Sequence, residues 1–513
     1  MKRASRAASS IVGMEAGTHT LSGLARAAGD GLVEITGDAD ARVSGLAYDS
    51  RAIAGGELFF CVPGARSDGH DFAPAAIASG ATALCVERRL HLGVPEVVVR
   101  ASRKAMALMA AAYFGHPAAD LTVLGVTGTN GKTTTAYLLE SILAATGHTT
   151  GLIGTIETRV GEAARPGVRT TPESLDLQRL LAEMRAHGVT AVAMEVTSHA
   201  LALGRVEGMR FSAAVFTNLS QDHLDFHAGM DDYFAAKRSL FLPERVERGA
   251  VNVDDPYGRR LREEAGVPLL GFGLASDAEV QARDVGVEPS GSRFVVVTPN
   301  GEINVATPLA GGFNVSNCLA ACACALQAGV APDAIQLGIA SVRAVPGRFE
   351  SIEHGQPFAV VVDYAHTPDS LDNVLREARR MAAARRGGRV LAVFGCGGDR
   401  DRGKRPLMGT VAARLADVVV VTSDNPRSED PDAIIGEILE GVVAERPGGA
   451  DEVIADRREA IHRVLALARP NDVVIVAGKG HETGQQFAEV TLAFDDREVA
   501  GSALDELGWE SRA

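Results

Sequence analysis

The chain has 513 residues, 46% of them hydrophobic and 23% charged, and 51 Lys and Arg against 65 Asp and Glu give a net charge of −14. That length is material for about three domains, the charge supplies no positive field for nucleic acid or an anionic membrane surface, and the composition excludes disordered and collagen-like chains. No uncharged apolar run approaches the roughly 20 residues of a bilayer span, so neither membrane insertion nor a nucleic-acid partner is expected. The basic, Ser-rich start (residues 1–10) has no apolar core or cleavage site of a signal peptide and reads as a frayed terminus. Six cysteines are too sparse for a disulfide framework, and Cys318, Cys322 and Cys324 lack the paired spacing of a zinc site, so buried thiols in a reducing cytoplasm are expected.

Between residues 43 and 99, short apolar runs (58–62, 83–86 and 97–99) alternate with Ala- and Gly-rich helical stretches. They predict a small N-terminal α/β domain within 1–120. Apolar runs at 121–126, 191–196, 213–216 and 250–253 are separated by helix-length segments, the pattern of a parallel sheet, and predict a central P-loop ATPase domain over 121–346. Between 279 and 306 the period changes to alternation, with turns at Ser290-Gly291 and Asn300-Gly301, which predicts an appended antiparallel hairpin. Pro346-Gly347 reads as a hinge. Runs at 358–362, 390–394, 418–421 and 473–477 then predict a C-terminal, Rossmann-like α/β domain over 347–513.

The unusual polar clusters directly follow the strand-like runs, and in open parallel sheets ligands bind at the carboxyl ends of strands. After the first run of the central domain stands Gly128-Thr129-Asn130-Gly131-Lys132-Thr133-Thr134, leading into a helix from about 133 to 143. Glycines there let backbone N–H groups wrap an anion, Lys132 reaches the β and γ phosphates, and the Thr133 hydroxyl meets Mg2+. The glycines at 125 and 128 depart from the strict P-loop spacing, and an ordinary strand-to-helix turn is the structural alternative. Glu195 ends a second run, where an acidic side chain can reach a metal beside the P-loop, with a buried ion pair as its alternative. His223 and His227 follow a third run, and clustering behind Thr217-Asn218 favours His223 as a metal ligand. Lys237, by spacing alone, is a solvated helical lysine.

Taken together the motifs resemble one family. Gly128 to Thr134, Met194-Glu-Val-Thr-Ser-His199, Phe216-Thr-Asn-Leu-Ser-Gln-Asp-His-Leu-Asp-Phe-His227, Ala235-Ala-Lys-Arg-Ser-Leu-Phe241, Gly347-Arg-Phe-Glu350, Val362-Asp-Tyr-Ala-His-Thr-Pro-Asp-Ser-Leu371, the stretch from Phe394 to Gly409, Asp424-Asn-Pro-Arg427 and Gly478-Lys-Gly-His-Glu482 are, in that order, similar to the Mur ligases. The likeness runs from about Tyr48 to Glu482. It implies an ATP-dependent, ADP-forming amide ligase of peptidoglycan precursor and cell-wall synthesis, cytoplasmic and monomeric, using ATP and Mg2+. The implied reaction adds meso-diaminopimelate to the D-glutamyl γ-carboxylate of UDP-N-acetylmuramoyl-L-alanyl-D-glutamate. By motif, the resemblance assigns Tyr48, Ser50, Ala65, Arg66, Ser67, Thr170, Thr171, Thr197 and Arg205 to the UDP-sugar peptide, and Asn317, Arg348 and Asp363 to ATP. It assigns Arg400, Asp424, Asn425, Pro426, Arg427, Gly478 and Glu482 to diaminopimelate. It also changes the reading of Lys237, which matches the family's carbamylated lysine (N6-carboxylysine), an oxygen ligand for a second Mg2+ opposite His223. Leu203, Arg169 and Gln221 stand where glutamine, asparagine and arginine are usual, which touches individual substrate contacts and not the reaction.

Arginine at 427 carries a physical argument of its own. Diaminopimelate differs from lysine by a second carboxylate, and a guanidinium fork pairs with a carboxylate bidentately. The expected chemistry is activation of the acid as an acyl phosphate, with Lys132 and two Mg2+ neutralising charge, followed by attack of the amine. Rival readings are a lysine-adding or folylpolyglutamate synthetase, a kinase or P-loop switch, and a catalytically dead ATP-binding scaffold.

Overall fold

A computed structural model describes residues 19–64, 67–288, 290–385 and 387–509. The basic start and the Ala65-Arg66 pair lie outside the described residues. Helices flank three main sheets of mixed pairing. The first has five strands in the spatial order Leu32–Thr36, Glu96–Val99, Ala83–Val86, Glu57–Phe60 and Gly45–Ala47, parallel except for the first pair. Ala83–Val86 is buried throughout, as expected of a parallel strand covered on both faces. The described residues up to Thr122 form one compact unit with Thr171–Gly188 and Ala200–Arg210. The helix Ser174–Ala186 therefore serves the first core, where Leu175 packs with Leu58, Phe60, Met106 and Met109.

The remaining described residues form the second unit. Its eleven-stranded sheet sets Thr150–Ile153, Ala191–Glu195, Thr122–Thr127, Ala213–Phe216, Gly249–Asn252 and Leu269–Gly273 side by side in that order, with parallel pairing along the run. Parallel strands release the chain at a common edge, so the segments after Thr127, Glu195 and Phe216 emerge as neighbours. Val280–Glu288, Gly291–Thr298 and Gly301–Thr307 then extend the sheet as an antiparallel meander. This is one strand more than the expected hairpin, because both the Ser290-Gly291 and the Asn300-Gly301 turns reverse the chain. A second antiparallel pair, Glu157–Val160 with Ala163–Pro166, occupies the opposite edge. Cys318, Cys322 and Cys324 lie inside the helix Gly312–Gln327 as free, buried thiols, and burial pushes Cys318 and Cys322 up to about 12.

The third sheet, in the order Glu350–Ser351, Ala359–Asp363, Val473–Ala477, Val390–Phe394, Val418–Val421 and Glu452–Val453, is parallel but for its first pair. Apolar clusters fill both faces, one around Leu371, Leu375 and Phe394, the other around Ile461, Val464 and Leu504. No described helix is long and apolar enough to cross a membrane.

One fully buried ion pair ties two strand ends of this sheet together. Arg457 Nε and Nη2 donate to the carboxylate of Asp496 at 2.8 and 2.7 Å, while Nη1 and Nη2 also donate to the carbonyls of Ser423 (3.2 Å) and Ala477 (2.9 Å). Both side chains are 0% exposed, so removing one partner strands the other charge in the core. Asp496→Ala is expected to lower stability by about 3–5 kcal/mol, read as a shift in the denaturation midpoint, whereas Arg463→Ala, which breaks the half-exposed Arg463–Glu452 pair, costs about 0–1 kcal/mol.

Candidate functional site

The strand Thr122–Thr127 ends where the anion loop begins. Gly131 sits at the N-cap of the helix Lys132–Ala145 with φ 84°, and a Cβ there would fall 2.3 Å from Asn317 Oδ1. Only glycine both adopts that backbone and admits the asparagine, which places Asn317 against the loop. The loop is stitched to the segment after Phe216: Thr129 N donates to Asn218 O (2.9 Å), Asn130 N to Asn218 Oδ1 (2.9 Å) and Thr217 Oγ1 to Asn130 O (2.6 Å). Thr217, Asn218 and Ser220 were visible in the sequence as a polar cluster behind a strand, yet carried no individual role.

Two lysines converge on a single carbonyl. Lys132 Nζ donates to Gly128 O at 3.0 Å and Thr129 O at 2.7 Å, and Lys237 Nζ donates to the same Gly128 O at 2.7 Å. Lys237, on the helix Met230–Arg238, is 1% exposed and lies 4.6 Å from the centre of the Tyr233 ring. The helical spacing that suggests a surface lysine is thus overridden by packing. Burial, reinforced by the Lys132 charge, holds the Lys237 amine well below its ordinary pKa, and burial lowers Lys132 too, against the pull of Glu195.

Glu195, 1% exposed, accepts from Thr133 Oγ1 at 3.1 Å, from Thr155 N at 2.7 Å and from Thr155 Oγ1 at 3.1 Å. A hydroxyl and a carboxylate in mutual contact beside an anion loop are hard oxygen donors that suit Mg2+. Among the described residues no three His, Cys, Asp or Glu side chains gather into a metal cage. His223 adopts φ 55°, its N–H donates to Asp222 Oδ1 (2.9 Å), and burial pushes its imidazole down to about 4. It packs edge-on to His199, 4.8 Å between ring centres. His227 Nδ1 instead pairs with Asp232 at 3.1 Å. Thr134 is buried in the first turn of the helix.

Residues after the hinge reach the same loop within this unit. Arg348 Nη2 donates to Thr133 Oγ1 at 3.4 Å, and its guanidinium lies over Tyr364, 4.3 Å from the ring centre. Asp369, which the motif reading left without a role, accepts from Asn130 Nδ2 (2.8 Å) and Ser220 Oγ (2.9 Å). Asp363 accepts from Phe349 N at 2.7 Å, and burial pushes its carboxyl up to about 6, against the Arg348 charge.

At the ends of the third sheet the second predicted cluster gathers. Asp424 and Asn425 are buried, Asn425 Nδ2 donates to Glu482 Oε2 at 2.7 Å, and a Cβ on Gly478 would meet Asp424 Oδ2 at 2.6 Å. Arg427, with φ 54°, donates from Nη1 to Gly398 O at 2.6 Å, and Pro426 precedes it in the loop. Positions around Gly397 bring Arg427 Nη1 and Arg400 Cγ to 2.9 and 3.9 Å of where its Cβ would stand. Lys479, fully buried between Asn425 and Glu482, was missed; its place between two glycines was the available signal.

The residues predicted for a nucleotide-sugar peptide divide between the two units. In the first, Tyr48 Oη donates to Asp176 Oδ2 at 2.6 Å, Ser50 opens a short 3-10 turn, and Ser67 O accepts from Gly64 N at 2.9 Å. Arg205 Nη1 donates to the carbonyl of Thr171 at 3.1 Å and its Nη2 pairs with Glu173 at 2.8 Å. Thr170 and Thr197 belong to the second unit, where Thr170 Oγ1 lies 3.0 Å from Thr155 Oγ1. Ala65 and Arg66 lie outside the described residues.

Three family models match the chain: the Mur ligase family catalytic domain over residues 42–117, the Mur ligase middle domain over 126–325 and the Mur ligase glutamate ligase domain over 347–480. A curated relative from Streptomyces avermitilis, named UDP-N-acetylmuramoyl-L-alanyl-D-glutamate--2,6-diaminopimelate ligase, is 51% identical over 92% of this chain and 94% of its own. One of the same name from Geobacillus kaustophilus is 48% identical over 90% of this chain and 95% of its own. A solved structure titled as a ligase of that name superposes with a TM-score of 0.68 at 33% identity, covering 96% of this chain and 99% of the other. The expected family is thereby established, and with it the three-domain α/β fold: this chain belongs to the Mur ligases.

Proposed function

We propose that the chain adds meso-diaminopimelate to the γ-carboxylate of the D-glutamyl residue of UDP-N-acetylmuramoyl-L-alanyl-D-glutamate, with cleavage of ATP to ADP and phosphate, in peptidoglycan precursor synthesis. It is an acid–amino-acid ligase. The observation that carries the reading is the convergence of Lys132 and Lys237 on Gly128 O beside the Thr133–Glu195 pair, a site built for a polyanion. Its relatives at 51% and 48% identity bear the matching name. In this reading residues 1–120 hold the UDP-sugar, 121–346 the ATP and 347–513 the amino acid. ATP and nucleotide sugars are made inside cells, which supports a cytoplasmic location.

A carboxylate is inert to amines because resonance protects its carbon and oxide does not leave. One γ-carboxylate oxygen of D-glutamate attacks the γ-phosphorus of ATP, the bond to the ADP oxygen breaks, and an acyl phosphate results. The ammonium of Lys132, half-buried and held on the carbonyls of Gly128 and Thr129, offsets the charge of the two anions as they approach. Arg348, over Tyr364 and against Thr133, adds a second cation from beyond the hinge. The amine of diaminopimelate then attacks the acyl carbon, a proton leaves the nitrogen, and the tetrahedral adduct expels phosphate to leave the amide. Mg2+, held by Thr133 and Glu195 with His223 and a modified Lys237 serving a second ion, would supply further neutralisation of phosphate charge.

Lys237 as an ammonium cannot ligate a cation. Buried and hydrogen-bonded to a backbone carbonyl that a second lysine shares, it suits conversion to the carbamate: the neutral amine forms an N–C bond to CO2, a C=O electron pair moves to oxygen, and one N–H proton is released. The product replaces a repulsive charge with an anionic oxygen donor. Arg427 and Arg400 suit the carboxylate that distinguishes diaminopimelate from lysine, and Glu482 suits an ammonium.

Phosphate release from ATP is expected to require both the nucleotide-sugar dipeptide and diaminopimelate, with lysine poorer by roughly 5- to 150-fold in kcat/KM, the value of one unmet charged contact of about 1–3 kcal/mol. Release that needs neither acceptor would return the chain to the kinase or switch class. Positional isotope exchange in ATP should appear with the dipeptide substrate alone; turnover without it would count against a reversible acyl phosphate. Lys237→Ala is expected to lower kcat by about 10²–10³-fold, and 13C-bicarbonate should give a carbamate carbon resonance in the parent protein that this variant lacks.

A further inference from the structure

Lys479 is fully buried, yet neither the nucleotide chemistry nor the motif-assigned amino-acid contacts use it. Gly478 before it has φ 122° and lies so close to Asp424 that a side chain there would collide with the carboxylate, and the next side chain turns inward beneath the loop. Lys479 Nζ donates to Asn425 Oδ1 at 2.9 Å and to Glu482 Oε2 at 3.1 Å, and Asp424 Oδ1 stands 4.0 Å away. Asn425 closes the triangle through Nδ2, which donates to the same Glu482 oxygen at 2.7 Å, while Gln486 N donates to Asn425 Oδ1 at 2.9 Å.

This triangle fixes two side chains at once. With the Asn425 oxygen facing two donors and its NH2 facing a carboxylate, a flipped amide would set donors against an ammonium and a backbone N–H, so one orientation is enforced. Glu482 has Oε2 tied by two donors at the buried end, while its side chain is 31% exposed and Lys479 is 0% exposed. The carboxylate is therefore anchored at its inner oxygen and presented outward at the other. Arg457, bound to Asp496 and to the carbonyls of Ser423 and Ala477, holds the two strand ends that carry this loop, so the triangle stands on a rigid base.

We infer that Lys479 is a positioning residue for the incoming amino acid: its buried ammonium holds the Asn425 amide and one oxygen of Glu482, so that Glu482 meets a substrate ammonium group in a preset geometry. The inference rests on the reading of the loop around Asp424 and Glu482 as the amino-acid pocket. A preset carboxylate strengthens binding because the ordering is done before the substrate arrives, so its loss falls on the amino acid alone. With the full chain, ATP, the nucleotide-sugar dipeptide and diaminopimelate, Lys479→Met is expected to raise KM for diaminopimelate by about 10- to 100-fold, with KM for ATP within about twofold and kcat within about threefold of the parent. Lys479→Gln, which can donate but brings no charge, is the second variant and is judged on the same split. An unchanged KM for diaminopimelate, a parallel rise in KM for ATP, or loss of folded protein in both variants would overturn the inference and assign Lys479 to the core. Arg427→Ala is the companion arm: if it raises KM for diaminopimelate and the Lys479 variants do not, this inference alone fails, and if it too leaves KM untouched, the pocket reading fails with it.

Discussion

A single backbone carbonyl, that of Gly128, receives two lysine side chains, and the chemistry at this end of the molecule depends on that crowding. Two positive charges on one acceptor in a poorly solvated site would repel each other strongly, and burial together with the Lys132 charge holds the Lys237 amine well below its ordinary pKa. The arrangement is stored in the protein before any ligand arrives: the parallel sheet delivers Gly128 and Glu195 to one edge, and Tyr233 and Phe234 lock the helix that carries Lys237 into the core. The same repulsion favours an uncharged Lys237 amine, the form that can react with CO2. Electrostatic stress and preorganisation are here one feature.

The amino-acid end uses the opposite device. There a buried lysine is surrounded by acceptors, Asn425, Glu482 and Asp424, and a buried arginine clasps Asp496. Each cation is compensated, and each is paired with groups that position a neighbour rather than with a ligand. Lys132 and Lys237 rest on backbone carbonyls, whereas Lys479 is held by side-chain acceptors. Asp369 links the two ends within the compact unit, since its carboxylate accepts from Asn130 of the anion loop while its own helix belongs to the third sheet's core.

Much of this was legible in order along the chain because the signals are local. A continuous apolar run such as 418–421 has no polar face to expose and reads as a covered parallel strand; Gly-Lys-Thr-Thr behind such a run reads as an anion loop. Where the structure departs from expectation, partners distant in sequence decide. Lys237 is indistinguishable from a surface lysine by helical spacing, and only its packing against Tyr233 and Gly128 buries it. The stretch 279–306 shows two reversals, which make a meander of three strands, but not what its first strand pairs with, and parallel pairing with Leu269–Gly273 joins that meander to the central sheet. The helix Ser174–Ala186 lies within the central series in the chain yet joins the first compact unit, since an amphipathic pattern says that one face is buried and not against what.

By itself, then, the amino-acid order determined the class of fold and the family, because those depend on short-range patterns that a strand, a helix or a tight turn imposes on its own few residues. Only the tertiary structure decided that two lysines 105 positions apart, 237 less 132, face one carbonyl, that Lys479 lies under Asn425 and Glu482, and that Asp369 grips the anion loop. Charge at a point in space is a sum over neighbours supplied by several strands and helices, and no segment of the chain contains that sum.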